Sequence, residues 1–252
     1  MKALKTLSLL IGVAVVLAST TQGAMYNYGG SAYDIPDGSA MGVSSQITVG
    51  GEQNSLSHVA VTLDVSGGYN GDLYAYLSYG GALMPLVNRV GAGSAPATTT
   101  AFGYGDSVLR LVLTDSGANG DIHLYQQSSG YAGSIADGSS TWTPDGRNIR
   151  PDVSTPAQFD AAASSRLTFD TTFGGMNPNG TWTLYFADVS AGGGQTVLNG
   201  WGLEITAVPE PVHAALGVFA AFFVMVGLGR CRPVRSWLHR HYMAAVRWIN
   251  AV

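Results

Sequence analysis

The sequence predicts an all-β fold, an antiparallel β-sandwich between an N-terminal signal peptide and a single C-terminal transmembrane helix. Three observations lead to this prediction. Short runs alternate apolar and polar residues with the period of two that a half-buried strand requires. Turn-forming residues separate these runs, and glycine alone contributes 34 of the 252 residues. An apolar stretch lies near each end of the chain, and no long amphipathic helix precedes Pro209.

The first 24 residues have the order of a cleavable signal peptide. Lys2 and Lys5 supply a basic start, residues 9–18 supply an apolar core, and small or polar residues follow. We expect cleavage after Gly23 or Ala24. The alternative is a permanent N-terminal anchor, for which the apolar run is short.

Alternation identifies the strands of the central part of the chain. The strand predicted over 72–79, for example, places Leu73, Ala75 and Leu77 on one face. Residues 130–163 show little periodicity and are rich in serine, glycine, proline and aspartate, so they predict an irregular excursion. The predicted strands are 59–65, 72–79, 108–113, 122–125, 182–186 and 201–205.

Charge is distributed unevenly along the chain. Residues 25–207 contain five arginines, no lysine and fifteen acidic residues, which gives a formal charge of −10, whereas the whole chain carries −4. Such a surface excludes nucleic acid as a partner, because nucleic-acid binding needs clustered basic residues. Two interpretations stay open: the acids bind a hard cation such as calcium, or they keep an exported protein soluble. The single cysteine, Cys231, excludes a disulfide in this part of the chain.

A sorting signal occupies the C-terminal part of the chain. An apolar run from 214 to 229 is near the lower limit for a membrane span. The three arginines behind it mark the cytoplasmic side. This order resembles the PEP-CTERM signal, which implies that an exosortase-like enzyme cuts the chain near the tripeptide. The residues that carry the resemblance are Val208, Pro209, Glu210, Pro211, Arg230, Arg232 and Arg235.

The chain continues beyond the arginines, unlike a typical signal of this kind. Residues 236–252 place apolar side chains on one helical face and predict an amphipathic helix at the inner leaflet. The competing interpretation of the whole C-terminal segment is a plain membrane anchor that is never cut.

A second resemblance covers residues 45–206. The segments that carry it are 56–59, 71–77, 179–188 and 198–205, which read LSHV, GDLYAYL, NGTWTLYFAD and LNGWGLEI. Together they resemble a P domain (P/Homo B), the jelly-roll module that follows the catalytic domain of kexin- and furin-like subtilisin proteases. The resemblance therefore implies a jelly-roll-like sandwich and an association with proteolysis.

No catalytic set is predicted. A subtilisin-type enzyme needs Asp, His and Ser in that order on an α/β domain, and the β-pattern leaves no room for one. The only histidines of residues 25–207 are His58 and His123, and no nucleophile motif accompanies them. Trp182 and Trp201 alternate with the apolar face, which favours core positions over a sugar-stacking role.

Calcium is the better site hypothesis. Asp72 and Asp188 each adjoin a strand of the P-domain-like pattern, and Asp115 is a third candidate ligand. Carboxylates gathered at one end of a sandwich repel each other unless a cation or hydrogen bonds offset the repulsion. The alternative is that each caps a separate turn.

These observations predict an exported, non-catalytic binding or structural module, delivered to the cell envelope or extracellular matrix and transiently anchored in the inner membrane. Its expected partners are an exosortase-like enzyme, the membrane, and an exopolysaccharide or a protease. The alternative is an accessory module that stabilises or targets a subtilisin-like serine endopeptidase. The predicted division is a signal peptide (1–24), a lead-in (25–44), the sandwich (45–206), the sorting signal (207–235) and the amphipathic extension (236–252).

Overall fold

The computed structural model describes residues 23–53, 55–129, 131 and 133–208, together with six helical positions between 217 and 226. Residues 21–208 form one compact unit, and the six helical positions lie outside it. Within the described residues, no helix is both long and apolar enough to cross a bilayer. The predicted signal peptide before residue 23, the arginine cluster and the amphipathic extension lie outside the described residues.

In the part of the chain that the structure describes, ten strands form two sheets. The six-stranded sheet has the order β1-β10-β4-β7-β8, and β2 also pairs with β10. The four-stranded sheet has the order β3-β9-β5-β6. Neighbours are antiparallel except β7 and β8. The strands are β1 (Ala24–Asn27), β2 (Tyr33–Ile35), β3 (Ser39–Val49), β4 (Ser55–Ser66), β5 (Leu73–Tyr79), β6 (Ala82–Asn88), β7 (Val108–Thr114), β8 (Thr141–Trp142), β9 (Gly180–Asp188) and β10 (Thr196–Val208).

One buried core joins the inner faces of both sheets. Leu63 of β4 and Leu111 of β7 belong to the same buried cluster as Leu77 of β5 and Phe186 of β9. The alternation seen in the sequence is the alternation of burial in the structure, because successive side chains of a strand point to opposite faces. An all-β fold of two sheets is therefore confirmed.

Over residues 23–208, as far as they are described, the helical elements are short. Three are 3₁₀ turns and two are α-helices with a capping threonine at the start, Thr155 or Thr168. The 3₁₀ elements are Asn70–Asp72, Ile122–Gln127 and Ala163–Ser165, and the α-helices are α1 (Pro156–Ala162) and α2 (Phe169–Phe173).

One sequence-based prediction differs from the structure. The strand predicted over 122–125 is a 3₁₀ helix, because the Asp121 side chain accepts a hydrogen bond from the His123 amide and caps a helical turn there. Within the predicted lead-in, residues 25–44, most of β1, all of β2 and the start of β3 pair into the two sheets.

Candidate functional site

Two of the predicted calcium ligands lie side by side at one end of the sheets. Asp72 closes the first 3₁₀ turn, and Asp188 is the last residue of β9. The strand register pairs Leu73 with Asp188, so the two aspartates are held next to each other. Both are buried, Asp188 completely. Thr196 donates a hydrogen bond to Asp188 at 3.0 Å, and the Arg89 guanidinium lies 3.9 Å from Asp72.

The pair is electrostatically strained. Burial is the main cause that raises the pKa of Asp72 to about 6, the Asp188 carboxylate raises it further, and Arg89 acts in the opposite direction. Burial also raises the pKa of Asp188, while the bond from Thr196 lowers it. A raised carboxyl pKa means that the folded protein resists ionisation at that position. This end of the sheets therefore has unbalanced negative charge that a cationic group would offset.

A pocket of about 330 Å³ opens beside Asp72. Its rim carries two aromatic side chains, Phe102 at 76% exposed and Tyr69 at 46% exposed. Large aromatic side chains are usually buried in a core, so their exposure here is informative about a binding surface. The remaining lining residues are Gly103, Tyr104, Gly105, Ser190 and Ala191.

Backbone hydrogen bonds hold the loops of this pocket in place. The Asn70 amide donates to the Asp106 carbonyl at 2.7 Å, and the Gly71 amide donates to the Tyr104 carbonyl at 2.8 Å. A Cβ on Gly71 would lie 2.5 Å from the Phe102 carbonyl oxygen, so the close approach of the two loops requires glycine there. The pocket is thus a preformed feature of the fold.

Asp115 does not join the pair. It follows β7 at the end where Thr114 pairs with Ala60, whereas the pocket lies near the end where Val108 pairs with Ser66. The two ends are about 20 Å apart at the usual strand rise. Asp115 instead accepts hydrogen bonds from the amides of Phe169 and Asp170 at 2.8 Å each, which stabilises the start of α2.

The structure therefore brings together two of the three predicted ligands. Over residues 23–208 as far as they are described, no group of three or more histidine, cysteine, aspartate or glutamate side chains is arranged to hold a metal ion. Calcium takes six to eight oxygen ligands, so a site at Asp72 and Asp188 would need backbone oxygens or water for the rest.

His123 is committed to the interior. Its Nδ1 lies 2.7 Å from Asp145 Oδ2, and its Nε2 lies 2.9 Å from the Ala92 carbonyl oxygen. Both partners are hydrogen-bond acceptors, so each ring nitrogen faces an oxygen atom. The ring is buried and packs at 5.7 Å from Phe159. Both nitrogens are therefore occupied, and the residue is placed to support structure.

The partner of His123 belongs to a buried ionic network that the sequence did not reveal. Arg147 binds Asp145 at 3.2 Å and Asp121 at 3.0 Å, and Arg166 binds Asp121 at 3.2 Å. Burial alone would raise the pKa of Asp145, but His123 and Arg147 outweigh it and lower that pKa. No regular spacing relates these residues, because they lie in irregular segments, so periodicity gave no signal for the network.

His58 and the two tryptophans have separate places. His58 lines a shallow pocket of about 270 Å³ with Asp115 and Ser116, at the end of the sheets away from Asp72. Trp182 and Trp201 are buried, as predicted for core residues. Their indole nitrogens donate to the Pro178 carbonyl at 2.9 Å and to Ser45 Oγ at 2.8 Å. Buried indoles cannot stack on a sugar, so the core interpretation is confirmed.

The predicted processing region begins where the described fold ends. Val208 is the last residue of β10 and pairs with Ser55 of β4. Pro209, Glu210, Pro211, Arg230, Arg232 and Arg235 lie outside the described residues, as does Cys231.

Comparisons with known proteins add little to these observations. No protein-family model and no curated protein matches the chain. Among solved structures, the serine protease of Aeromonas sobria has 14% identity and a TM-score of 0.36, over 74% of this chain and 26% of that one. The complex of an Aeromonas sobria serine protease with the chaperone ORF2 gives 14% identity, a TM-score of 0.35 and the same coverage. The chain spans about a quarter of the length of these structures, and likenesses at this level support no functional inference.

Proposed function

We propose that this protein is an exported, non-catalytic binding module with a jelly-roll-like β-sandwich, and that the pocket beside Asp72 is its binding site. The observation that carries the proposal is the pairing of two exposed aromatic side chains, Tyr69 and Phe102, with an incompletely neutralised carboxylate in one preformed pocket. Preformed loops lower the conformational cost of binding. A scaffold with a fixed core and a shaped loop end is suited to recognition.

The chemistry of the pocket favours a cationic ligand. Asp72 and Asp188 supply negative charge. Tyr69 and Phe102, at the rim of the pocket, attract cations through the faces of their aromatic rings. The domain charge of −10 would attract such a group over a longer range. Calcium is one candidate, held by the Asp72–Asp188 pair without Asp115. A lysine or arginine side chain of a protein partner is the other.

Export and display belong to the same proposal. The signal-peptide pattern of residues 1–24 and the PEP-CTERM-like residues Val208–Pro211 support delivery to the envelope or extracellular matrix by an exosortase-like enzyme. The end of β10 at Val208 is compatible with cutting nearby, because the strand is complete before the proline-containing tripeptide begins. An exopolysaccharide or a protein surface is the proposed destination.

The P-domain-like segments support a second candidate function, an accessory module for a subtilisin-like protease on another chain. The segment at 179–188 consists of Asn179 and β9, and Trp182 of β9 is buried in the core. The Asn179 side chain accepts a hydrogen bond from the Glu52 amide at 2.8 Å and donates one to the Glu52 carbonyl at 3.0 Å. These roles are structural. The second candidate therefore depends on a protease being found as the partner.

Titration of the purified full-length chain tests the first proposal. Calcium is followed by melting temperature, and a lysine-rich peptide by fluorescence anisotropy. We expect at least one of the two to bind, and Asp72→Asn or Phe102→Ala to weaken binding about tenfold or more, by loss of a charge-assisted contact or of ring contact. Asp34→Asn, which removes an exposed carboxylate elsewhere, serves as the matched control.

The outcomes separate the alternatives. No melting shift at millimolar calcium would remove calcium from the proposal. Failure of both probes to bind would overturn the cationic-ligand proposal. Specific co-purification of a subtilisin-like protease from the secreted fraction would favour the accessory module. Turnover of casein or of a glycan by the purified chain would contradict the absence of catalysis.

A further inference from the structure

The outer face of the four-stranded sheet carries a cluster of three tyrosines. Tyr74 and Tyr76 project from β5 and Tyr185 from β9, and the register pairs Tyr76 with Tyr185. The rings of Tyr76 and Tyr185 stack at 4.7 Å with an interplanar angle of 19°. Tyr74 lies 5.8 Å from Tyr76 and 6.4 Å from Tyr185. All three are partly exposed, while the residues between them point into the core.

Neutral polar side chains surround the cluster. We call the whole set the tyrosine face. Its other members alternate with buried residues on β3, β5 and β9, and none of them is ionisable. They are Ser44, Gln46, Thr48, Ser78, Thr181 and Thr183.

The outer face of the six-stranded sheet is different in kind. It carries the ion pair of Arg110 with Asp64 at 3.1 Å, and Glu204 faces outward on β10. Both sheets belong to one acidic domain, so a neutral outer face on one of them is a local property. Asp145 contributes to the raised pKa of Tyr74, after burial and the neighbouring tyrosines, but it is buried and paired with His123 and Arg147.

The tyrosine rings are held in position. The Tyr185 hydroxyl donates to the Ala40 carbonyl. Gly42 has a φ of +52°, and a Cβ there would lie 2.4 Å from the Phe186 carbonyl oxygen and 3.0 Å from the Tyr185 ring. Only glycine lets β3 approach the ring this closely. Next to it, Met41 is 85% exposed and extends the apolar area. Among the described residues, the hydroxyls of Tyr74 and Tyr76 have no hydrogen-bond partner and remain available to a ligand.

We infer that the tyrosine face binds a neutral polysaccharide. Sugar rings present C–H groups on their faces and hydroxyls on their edges. Fixed aromatic rings pack against the faces, and serine, threonine, glutamine and tyrosine groups exchange hydrogen bonds with the edges. A ligand without charge matches a face without charge, whereas an acidic polysaccharide would be repelled by the −10 domain. This surface is separate from the pocket beside Asp72, so the inference stands or fails independently of the proposed function.

Affinity electrophoresis of the full-length chain, kept in a detergent without sugar groups, tests the inference. The probes are gels containing dextran, laminarin or galactomannan, with alginate as the acidic comparison. We expect retardation in at least one neutral gel and none in alginate. Replacement of both stacked rings, Tyr76→Ala with Tyr185→Ala, should weaken that retention about tenfold or more, because both ring faces would lose their contact with the sugar.

Matched variants keep the test specific. Tyr28→Ala removes a partly exposed tyrosine that belongs neither to the tyrosine face nor to the pocket beside Asp72, and it should leave retention unchanged. Tyr76→Phe keeps the ring and should retain most of the binding. If the double variant unfolds, Tyr76→Ala alone replaces it, with an expected loss of about threefold or more. Absence of retardation in every neutral gel, preference for alginate, or equal retention of wild type and tyrosine-face variants in neutral gels would overturn the inference.

Discussion

At the scale of single residues, Asp72 is unusual because its surroundings disfavour the charged carboxylate. The basic side chain beside it, Arg89, offsets this effect only in part. Burial and the adjacent Asp188 carboxylate oppose ionisation, and Arg89 lies 3.9 Å away, too far for a close ion pair. Natural cores seldom keep a carboxylate under these conditions without a functional reason. We therefore expect the residue to lower the stability of the fold at neutral pH while it supplies negative charge to the pocket.

Asp72→Asn is expected to stabilise the protein at pH 8 and to have little effect near pH 4. The folded-state pKa of about 6 is above the ordinary value of 3.8, so the folded state holds this proton more tightly than the unfolded state. The stabilisation from protonation is complete below pH 4 and is lost as pH rises towards and past 6. We expect a gain of roughly 1–2 kcal/mol for the variant at pH 8, allowing for solvent screening.

Urea unfolding at pH 4 and pH 8 measures this effect. Asp34→Asn, at an exposed position, controls for the general change in net charge. An Asp72→Asn variant that is less stable than wild type at pH 8 would mean that the carboxylate makes a net favourable interaction, and the strain argument would then be wrong. Saturating calcium, if it binds, should reverse the sign of the effect, because the cation stabilises the ionised carboxylate.

At the scale of elements, the buried ionic network around Asp145 attaches the irregular segment 130–163 to strand β6. The Asp145 carboxylate accepts hydrogen bonds from the Asn88 amide and from His123 and Arg147. The Asp145 and Gly146 amides donate to the carbonyls of Leu86 and Pro85, so the segment follows the edge of the sheet. Ion pairs and hydrogen bonds to β6 thus hold in place a long segment that has little secondary structure of its own.

Asp145→Asn is expected to destabilise the fold by about 3–5 kcal/mol, because the buried guanidinium of Arg147 would lose its carboxylate partner and His123 would lose the acceptor at Nδ1. Asp152→Asn is the matched control, since it breaks an exposed pair with Arg150 that solvent screens, and it should cost far less stability. Equal losses in the two variants, measured by urea unfolding at pH 7, would contradict the proposed weight of the network.

At the scale of the whole molecule, β10 is the strand that holds the six-stranded sheet together. It pairs with β4 over most of its length and also with β1 and β2. Its last residues are still part of the fold, because Ile205 and Ala207 are buried. The described fold therefore ends at the position where the predicted processing signal begins.

A chain that ends at Val208 is expected to keep the melting temperature of the longer chain, whereas a chain that ends at Leu203 should lose about 3 kcal/mol or more, or fail to fold. The shorter truncation removes the buried Ile205 and the pairing of residues 204–208 with β4 and β1. Mass spectrometry of the protein recovered from cells is the companion measurement. We expect most molecules to end near residues 208–211, and an intact tail on most molecules would contradict processing there.

The strands were predictable from the sequence because they depend on a local pattern. The alternation of valine and leucine in β4, and of tyrosine with leucine and alanine in β5, directly reflects one buried and one outward face. The same period-two pattern in residues 122–125 was misleading, since the side chain of Asp121 caps a 3₁₀ turn there and decides the conformation. The tryptophans of β9 and β10 were predictable as core for the same reason as the strands.

The candidate sites depended on relations that no local pattern contains. Pairing of Leu73 with Asp188 brings Asp72 beside Asp188, while Asp115 is carried to the opposite end of β7. Only the packing of separate loops places Tyr69 and Phe102 around Asp72, and only the register of β5 and β9 stacks Tyr76 on Tyr185. The sequence by itself determined the strands and the acidic, disulfide-free character of the domain, and it predicts export signals, because these are properties of neighbouring residues. The tertiary structure alone decided which carboxylates and which rings meet, because burial and strand pairing join residues that are far apart in the chain.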